Sequence, residues 1–318
     1  MSDGDNLLYA LETYDYLSDH PNVRLAFCRR EVHRIMKGVK KPKLFGGIRV
    51  CLFDAGNWVL DEIAWHKNPL FQGMLNVQTI NMDKFLEVCE KVNRREAEAI
   101  ARLWIGESIV NEPTFEDVAK SARIYLAMKG TVDKMKANAA YVLWCGQFMK
   151  PLGAKMCFSI SKLADDGYPI GCWRVGNLLP LLIIHEASHK PVFTPEALSN
   201  RVKTITFRHC FAPSTITDSK CVLRRWRNVK GTVTGYCHLP RGAVTLINCG
   251  VDDKITVVKG RVISCKDIGG KNCRITALVR VEHEDSIRKF MGSEFAMVYG
   301  DYVKSIKGMA HKLGIKVL

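Results

Sequence analysis

The sequence predicts an α/β fold: a three-layer domain on a parallel sheet, then a β-rich α+β domain whose strands form an antiparallel sheet or barrel. Over residues 47–190, short apolar runs alternate with amphipathic helical segments, which is typical of a parallel sheet covered by helices. After Pro191, β-branched runs follow at close spacing between Gly, Asp and Lys turns, which is typical of antiparallel strands. The chain therefore divides into a helical lead-in (1–45), an α/β domain (46–190) and a β-rich domain (191–318).

The α/β domain is predicted from alternating strands and helices. Its strands are GIRVCLFDAG, NAAYVLWCGQF and YPIGCW, with NVQTI as a further short strand. Its helices are MDKFLEVCEKVNRREAEAIARLWIGES, PTFEDVAKSARIYLAMKGTVDKMKA, KMCFSISKLADDG and GNLLPLLIIHEASHK. Thr114 is the expected N-cap of the second helix, with Asp117 three residues on, close to a capping box. Pro180 falls in the first turn of the last helix, where no backbone N–H is required.

The β-rich domain is predicted from five β-branched runs and a helical end. The strands are KTITFRHC, GTVTGYCHL, GAVTLINC, KITVVKGRVISC and NCRITALVRV. The helices are DSIRKFMGSEF and YVKSIKGMAHKLG, and IKVL is a final strand. His209 lies where the first of these strands runs into the proline-bearing loop RHCFAPST, and loops at strand ends often carry ligands.

Composition and the N-terminal segment indicate a cytoplasmic protein with no membrane partner. No apolar run reaches the length of about 18 residues that a transmembrane helix needs, and the acidic start lacks the pattern of a signal peptide. The 12 cysteines include no CxxC pair, so no zinc ribbon or thioredoxin motif is indicated. We therefore expect buried free thiols in a reducing compartment.

The net charge of +15 is concentrated in the second part of the chain, where residues 201–318 hold 22 Lys and Arg against 9 Asp and Glu. Only RRWR, at Arg224–Arg227, is dense, and it interleaves an aromatic ring with cations as stacking sites for nucleic acid do. A nucleic-acid partner for the basic domain is therefore one alternative, and a solvated basic surface is the other.

HEASH matches the H-E-x-x-H motif, in which two histidines on one helix face bind zinc and the glutamate acts as a general base. His185 and His189 are the zinc candidates, with Glu196 and His209 as the nearest candidates for a third ligand. Because Lys190 and Pro191 follow at once, the competing interpretation is a polar end on a buried helix. A zinc hydrolase is the weaker alternative.

Taken in order, several segments resemble the second and C-terminal domains of the L-fucose/L-arabinose isomerase family. They are EPTFEDVAKSARIYLAMKGTV and AAYVLWC, then SKLADDGYPIGC and NLLPLLIIHEASHKPVF, then FRHCFAP, RGAVTL, DDKITVVKGRVIS and FAMVYGDYVKSIKGMAHKLGIKV. The resemblance covers about Gly47 to Leu318. It implies the fold of those two domains and a homo-oligomer, a trimer or a hexamer. Members of the family have an additional N-terminal α/β domain, and we expect the residues before the first strand to be too few to form it.

The resemblance also implies chemistry that this sequence lacks the residues to perform. The family interconverts aldoses and ketoses with a divalent metal, typically manganese, that is held by two carboxylates and a histidine. Trp173 and Val175 stand where the family has a glutamate and a ligand aspartate, and Met156 or Cys157 stands at the other acidic position. Ser293 or Glu294 replaces the histidine, so Glu294 is the only surviving candidate ligand and no metal is expected.

The sequence therefore predicts an isomerase scaffold without its metal, which acts as a sugar-binding or assembly subunit of carbohydrate metabolism. Its ligand would be a sugar or a sugar phosphate, stacked on Trp173 or bound through Arg174 near a helix N-terminus. An active isomerase that uses manganese at a relocated site is the alternative within the same family. The residues predicted to line the ligand site are Cys145, Trp173, Arg174, Asn177, His209 and Glu294.

Overall fold

The computed structural model combines a parallel sheet with a separate, mainly antiparallel sheet, which confirms the predicted fold class. The predicted lead-in, the residues Arg174 and Val175 and most of the helix DSIRKFMGSEF lie outside the described residues, so those predictions stay open. The structure describes residues 47–55, 75–110, 112–173, 177–217, 219–249, 254–269, 273–282 and 293–318.

The parallel sheet has four strands in the order β2-β1-β4-β5. Its two central strands are almost entirely buried, because helices cover both faces and leave no side for polar residues. All three apolar runs and NVQTI are therefore strands, as predicted. The strands are β1 (Arg49–Asp54), β2 (Asn76–Asn81), β4 (Ala139–Leu143) and β5 (Ile170–Trp173).

The described helices follow the predicted segments with two exceptions: the long first helix is two helices, and the short helix at Met149–Leu152 was not predicted. The side chain of Asn93 accepts hydrogen bonds from the amides of Arg95 and Glu96 and so caps a new helix where the apolar periodicity alone predicted continuation. The helices are α1 (Met82–Lys91), α2 (Arg94–Glu107), α3 (Phe115–Lys134), α4 (Met149–Leu152), α5 (Cys157–Asp165), α6 (Leu178–Ser188) and α7 (Val303–Lys312).

Two predicted helix starts are confirmed. The Thr114 hydroxyl accepts from the Asp117 amide at 3.2 Å, and the Asp117 carboxylate accepts from the Thr114 amide at 2.9 Å, which completes a capping box at α3. Pro180 is the third residue of α6, where its missing N–H leaves no helical hydrogen bond unmade. Both starts follow from local chemistry, and this is why the sequence sufficed to place them.

The β-rich part is a barrel. Its strands run in the order β13-β10-β11-β12-β7-β6, all antiparallel. Backbone hydrogen bonds between Phe193 and Met297, from Ala197 to Ser293 and from Phe295 to Pro195 join the two ends of this path and close it. The strands are β6 (Glu196–Arg201), β7 (Thr204–His209), β10 (Gly242–Cys249), β11 (Lys254–Asp267), β12 (Ile275–Val281) and β13 (Ala296–Tyr299), with β14 (Lys316–Val317) parallel to β11.

The predicted strand GTVTGYCHL does not belong to the barrel. It forms β9 (Thr234–Tyr236) in a small sheet with β8 (Val222–Arg224) and β3 (Ile109–Val110). Strands β8 and β9 are antiparallel, and the pair of cysteines that flanks them, Cys221 and Cys237, forms a disulfide. The expectation of free thiols is therefore wrong for these two cysteines, whereas the other nine cysteines in the described ranges form no disulfide.

Helix α6 joins the two parts of the fold. Its apolar residues share one core with the strand residues Val50 and Tyr141 on one side and with Ile247 of the barrel and Ile306 of α7 on the other. A helix packed on two sheets must be apolar all round, and the run LLPLLII is so. A second core, under α1, α3 and α5, covers the opposite face of the parallel sheet. None of the described helices has the length and apolar character needed to cross a membrane.

Candidate small-molecule site

A cavity of about 320 Å³ lies where the parallel sheet meets the barrel. Cys145, Trp173 and Asn177 reach it from the carboxyl ends of β4 and β5 and from the start of α6, and His209 and Glu294 reach it from the barrel. Ligands of open α/β sheets bind at this edge, because strand ends and helix starts converge there. The cavity is therefore the candidate ligand site of the chain.

The cavity gathers five of the six residues that the sequence predicts for the ligand site. The sixth, Arg174, lies outside the described residues. These five come from parts of the chain up to 149 residues apart, between Cys145 and Glu294, so their meeting is a result of the fold. That they bind a ligand stays a prediction.

Trp173 forms an aromatic wall of the cavity in an unusual backbone conformation. Its φ of 98° is rare for any side chain and is typical of residues that the surrounding structure holds in a strained position near a functional site. The Trp144 amide donates to the Trp173 carbonyl at 3.0 Å, and the two indoles pack edge to face at 5.1 Å. Because 40% of Trp173 remains exposed, its ring is available to a ligand.

Lys155, which sequence reasoning missed, places a buried positive charge at the cavity. It lies between α4 and α5, is only 4% exposed, and its Nζ is 4.3 Å from the centre of the Trp226 ring. No carboxylate of the described residues lies within ion-pair distance of it. Burial lowers the pKa of Lys155, but Coulombic attraction to Cys157, Cys145, Cys210 and Cys172 in their thiolate forms raises it above its ordinary value. The ammonium is therefore charged and available to an anion.

Two arginines add positive charge to the same wall. The Arg227 guanidinium stacks on Trp226 at 4.7 Å from the ring centre, without a carboxylate partner among the described residues. Arg208 forms an ion pair with Glu196 at 3.1 Å, and both residues line the cavity. Lys155, Arg208 and Arg227 therefore outnumber the carboxylates Glu196 and Glu294.

The other cations of RRWR do not form an open basic surface. Arg224 is paired with Glu112 at 3.2 Å and with Asp267 at 3.0 Å. The Arg225 amide donates to Glu112 at 2.8 Å, and its side chain lies 3.9 Å from Asp117. Because carboxylates of the chain already neutralise two of the three arginines, the structure favours a structural role for them over phosphate binding.

Two buried oxygen atoms in the cavity wall have no hydrogen-bond partner. Asn177, which is 2% exposed, donates through Nδ2 to the Phe295 carbonyl at 2.8 Å and leaves its Oδ1 unpaired. The hydroxyl of Thr194, which is 3% exposed, is also unpaired. Buried polar atoms are rarely left unsatisfied, so these two indicate a polar ligand or water in the cavity.

Five free cysteines also line the cavity. Cys210 accepts a hydrogen bond from the indole of Trp226 at 3.2 Å, and its sulfur is 3.1 Å from that of Cys273. A hydrogen bond from Cys172 and the charge of Lys155 lower the pKa of Cys145 to about 7 against the effect of burial. The cysteines are Cys145, Cys157, Cys172, Cys210 and Cys273.

His209 is a neutral imidazole. Burial lowers its pKa to about 4, and the charges of Lys155 and Arg208 act in the same direction. The Phe211 amide donates to Nδ1 at 3.4 Å, so the proton of the neutral ring resides on Nε2, which lies 3.8 Å from the Cys172 sulfur. His209 therefore points a donor at this sulfur and does not act as a base toward it.

The described residues contain no group of three His, Cys, Asp or Glu side chains arranged to hold a metal ion. His189 is the C-cap of α6 with a φ of 50°, and the Nδ1–H of His185 donates to the Lys190 carbonyl at 3.3 Å. The candidate third zinc ligands, Glu196 and His209, line the cavity, which neither helix histidine reaches. The geometry therefore gives the H-E-x-x-H match no third ligand within the described ranges.

Comparison of the chain with protein-family models and with curated protein sequences gives no match. The resemblance to the sugar isomerase family therefore stays a prediction, and the function is argued from the cavity alone.

Several residues of the site were outside the reach of sequence reasoning. Lys155 and Thr194 lie in loops without a motif, and Trp226 was read as part of a basic surface. Arg208 and Cys210 carried a usable signal, because they flank His209 at the end of a predicted strand. Only the packing of the barrel against the sheet brings these residues to one cavity.

Proposed function

We propose that the chain binds a sugar or sugar phosphate in this cavity without metal-dependent isomerisation. The observation that carries the proposal is the composition of the wall: an exposed indole at Trp173, two unpaired oxygens at Asn177 and Thr194, and an excess of cations. Sugars stack their apolar faces on aromatic rings and donate hydroxyl hydrogen bonds to such oxygens. A phosphate group would meet Lys155 and Arg227.

The size of the cavity supports a ligand of this class. A volume of about 320 Å³ is at the lower end of the range for small-molecule pockets, which suits one monosaccharide and its phosphate better than an oligosaccharide.

The test is isothermal titration calorimetry with L-fucose, L-arabinose and their 1-phosphates, on the full-length chain. We expect Trp173→Ala to weaken binding about tenfold, since loss of one stacked ring removes on the order of 1.4 kcal/mol. Phe115→Ala is the matched control, because Phe115 is also 40% exposed but lies outside the cavity. The affinity of the Phe115 variant should equal that of the original chain.

Two results would overturn the proposal. One is the absence of heat with every sugar and phosphate at millimolar concentration. The other is formation of the ketose from L-fucose or L-arabinose with added Mn²⁺, together with near-stoichiometric manganese in the isolated protein, which would establish the active isomerase instead.

A further inference from the structure

We propose that Cys145 is a nucleophilic thiol that adds reversibly to the carbonyl carbon of an aldehyde held in the cavity, with Lys155 stabilising the oxygen. The inference rests on the proposed function, because a bound aldose in its open-chain form would supply this aldehyde. It adds covalent chemistry to a site that the proposed function treats as a binding site only.

The position of Cys145 gives its sulfur access to a ligand. It lies two residues beyond β4, in a tight turn that the hydrogen bond from the Gln147 amide to the Trp144 carbonyl closes at 2.8 Å. Cys51 lies in the middle of the neighbouring strand, and burial raises its pKa to about 12. A thiol at the strand end borders the cavity, whereas a thiol inside the strand is part of the core.

Lys155 is positioned to favour negative charge beside Cys145. A Cβ on Gly146, the next residue, would lie 3.6 Å from the Lys155 Nζ, so the ammonium packs directly against this turn. An ammonium in a wall of low polarity without a carboxylate partner stabilises a nearby anion strongly. The available anions are the Cys145 thiolate before addition and the ligand oxygen after it.

Three other thiols of the cavity, those of Cys172, Cys210 and Cys273, are less suited to the reaction. Hydrogen bonding with Cys145 is the largest of the effects that raise the pKa of Cys172, and burial acts in the same direction. A hydrogen bond with Cys157 raises the pKa of Cys210, and one with Cys210 raises that of Cys273. Of the groups that face Cys145, only Cys172 and Lys155 shift its pKa downward, and they act together.

The unpaired oxygens provide an independent indication of a ligand. Asn177 Oδ1 and Thr194 Oγ1 line the same cavity from almost fully buried side chains. An aldehyde with two neighbouring hydroxyls would satisfy both oxygens, one hydroxyl hydrogen for each, while its carbonyl faces Cys145 and Lys155.

The step needs no oxidant, reductant or leaving group. The thiolate lone pair forms a carbon–sulfur bond, and the carbonyl π pair moves to oxygen. This oxygen takes a proton from the Lys155 ammonium, which recovers the proton that the Cys145 thiol released. The product is a hemithioacetal, and reversal returns the free aldehyde and thiol.

Alkylation by iodoacetamide under non-denaturing conditions, with peptide mapping by mass spectrometry, tests the nucleophile. We expect Cys145 to be the most rapidly modified of the cavity thiols, with a rate that rises through a midpoint near pH 7. Lys155→Met should lower its rate at pH 7 about tenfold, as one unit of pKa would. Cys265→Ser, a buried thiol outside the cavity, is the control and should change nothing.

Addition itself is tested with glycolaldehyde labelled with ¹³C at the carbonyl. The expected result is a protein-bound ¹³C resonance of a tetrahedral carbon that disappears in Cys145→Ser, a variant of nearly unchanged volume, and on dialysis. A resonance that persists in Cys145→Ser, or slow alkylation of Cys145, overturns the inference. An adduct without any sugar binding would instead sustain the thiol site and contradict the proposed function, so the two failures are distinguishable.

Discussion

His209 illustrates how burial sets the chemistry of a single residue. The sequence placed this histidine at a strand end, among the residues predicted to line the ligand site. In the structure it lines the cavity between Phe193 and Phe211, whose rings lie 6.3 and 4.5 Å from its own. Desolvation among these rings disfavours the imidazolium form, so His209 contributes a neutral ring to the ligand site.

The depressed pKa of His209 predicts a loss of stability in acid. The pKa of His209 is near 6.5 in the unfolded chain and about 4 in the folded chain. Between these pH values the unfolded state binds more protons than the folded state, so the free energy of unfolding falls as the pH drops through this window. We expect this residue to account for a loss of about 3 kcal/mol by pH 4. Urea unfolding of the original chain and of His209→Gln at pH 7 and pH 4 measures it.

Comparison of the original chain with His209→Gln separates the contribution of His209 to the pH dependence of stability from the contribution of the carboxylates. The variant should be less sensitive to this pH change than the original chain. Equal pH dependence in both proteins would show that the folded state accepts the imidazolium.

At the scale of elements, helix boundaries follow side-chain caps more closely than they follow apolar periodicity. Thr114 and Asp117 begin α3 where the sequence predicts. Asn93 begins α2 in the middle of a segment that periodicity assigned to one helix. The two caps satisfy amides that no helical carbonyl reaches, which is a local effect that the sequence contains in both cases.

Removal of the α3 cap tests this local contribution. Thr114→Ala leaves the Asp117 amide without its acceptor and should lower the free energy of unfolding by about 1 kcal/mol. Thr114→Ser keeps the hydroxyl and should retain most of the stability. Chemical denaturation of the original chain and the two variants measures the free energy of unfolding, and its slope against denaturant concentration should be the same in all three. Equal losses of stability in both variants would assign the effect to the methyl group of Thr114.

At the scale of the whole molecule, a buried arginine joins segments that are distant in the sequence. Arg274, 4% exposed, donates to Glu112 at 2.9 Å, to the Arg225 carbonyl at 3.0 Å and to Asn228 at 3.0 Å, and lies 3.7 Å from Asp267. It therefore connects the loop before α3, the segment after β8 and the start of β12. Such a buried cation is tolerated because its donors are paired.

Removal of the charge of Glu112 should destabilise the molecule. Glu112→Gln leaves the Arg274 guanidinium with Asp267 as its remaining carboxylate and should lower the free energy of unfolding by about 2–3 kcal/mol. Glu98→Gln is the control, since Glu98 pairs with exposed arginines on the surface of α2 and should change stability little. Thermal and urea unfolding of both variants measure the loss of stability. Similar losses in Glu112→Gln and Glu98→Gln would show that the buried network contributes no more than a surface ion pair.

The sequence allowed most of the elements to be predicted, because their signals are local. The buried runs of β1, β4 and β5 and the segments of α3, α5 and α6 were read correctly from apolar content and period. The strand β6, at Glu196–Arg201, was missed, since its residues are mixed in polarity and its pairing with β7 supplies the structure. In the small sheet, the short strands β3 and β8 were also missed, whereas β9 lies within the predicted strand GTVTGYCHL.

By itself, the sequence determined an α/β part followed by a β-rich part, the starts of α3 and α6, and five residues of one cavity. Only the tertiary structure decided that the antiparallel strands close into a barrel, that Cys221 pairs with Cys237, and that Lys155 is buried beside Cys145. Helix caps and apolar periods act over a few residues, so a sequence displays them directly. Burial, pKa values and the meeting of loops depend on which distant surfaces pack together, and the chain acquires these properties only when it folds.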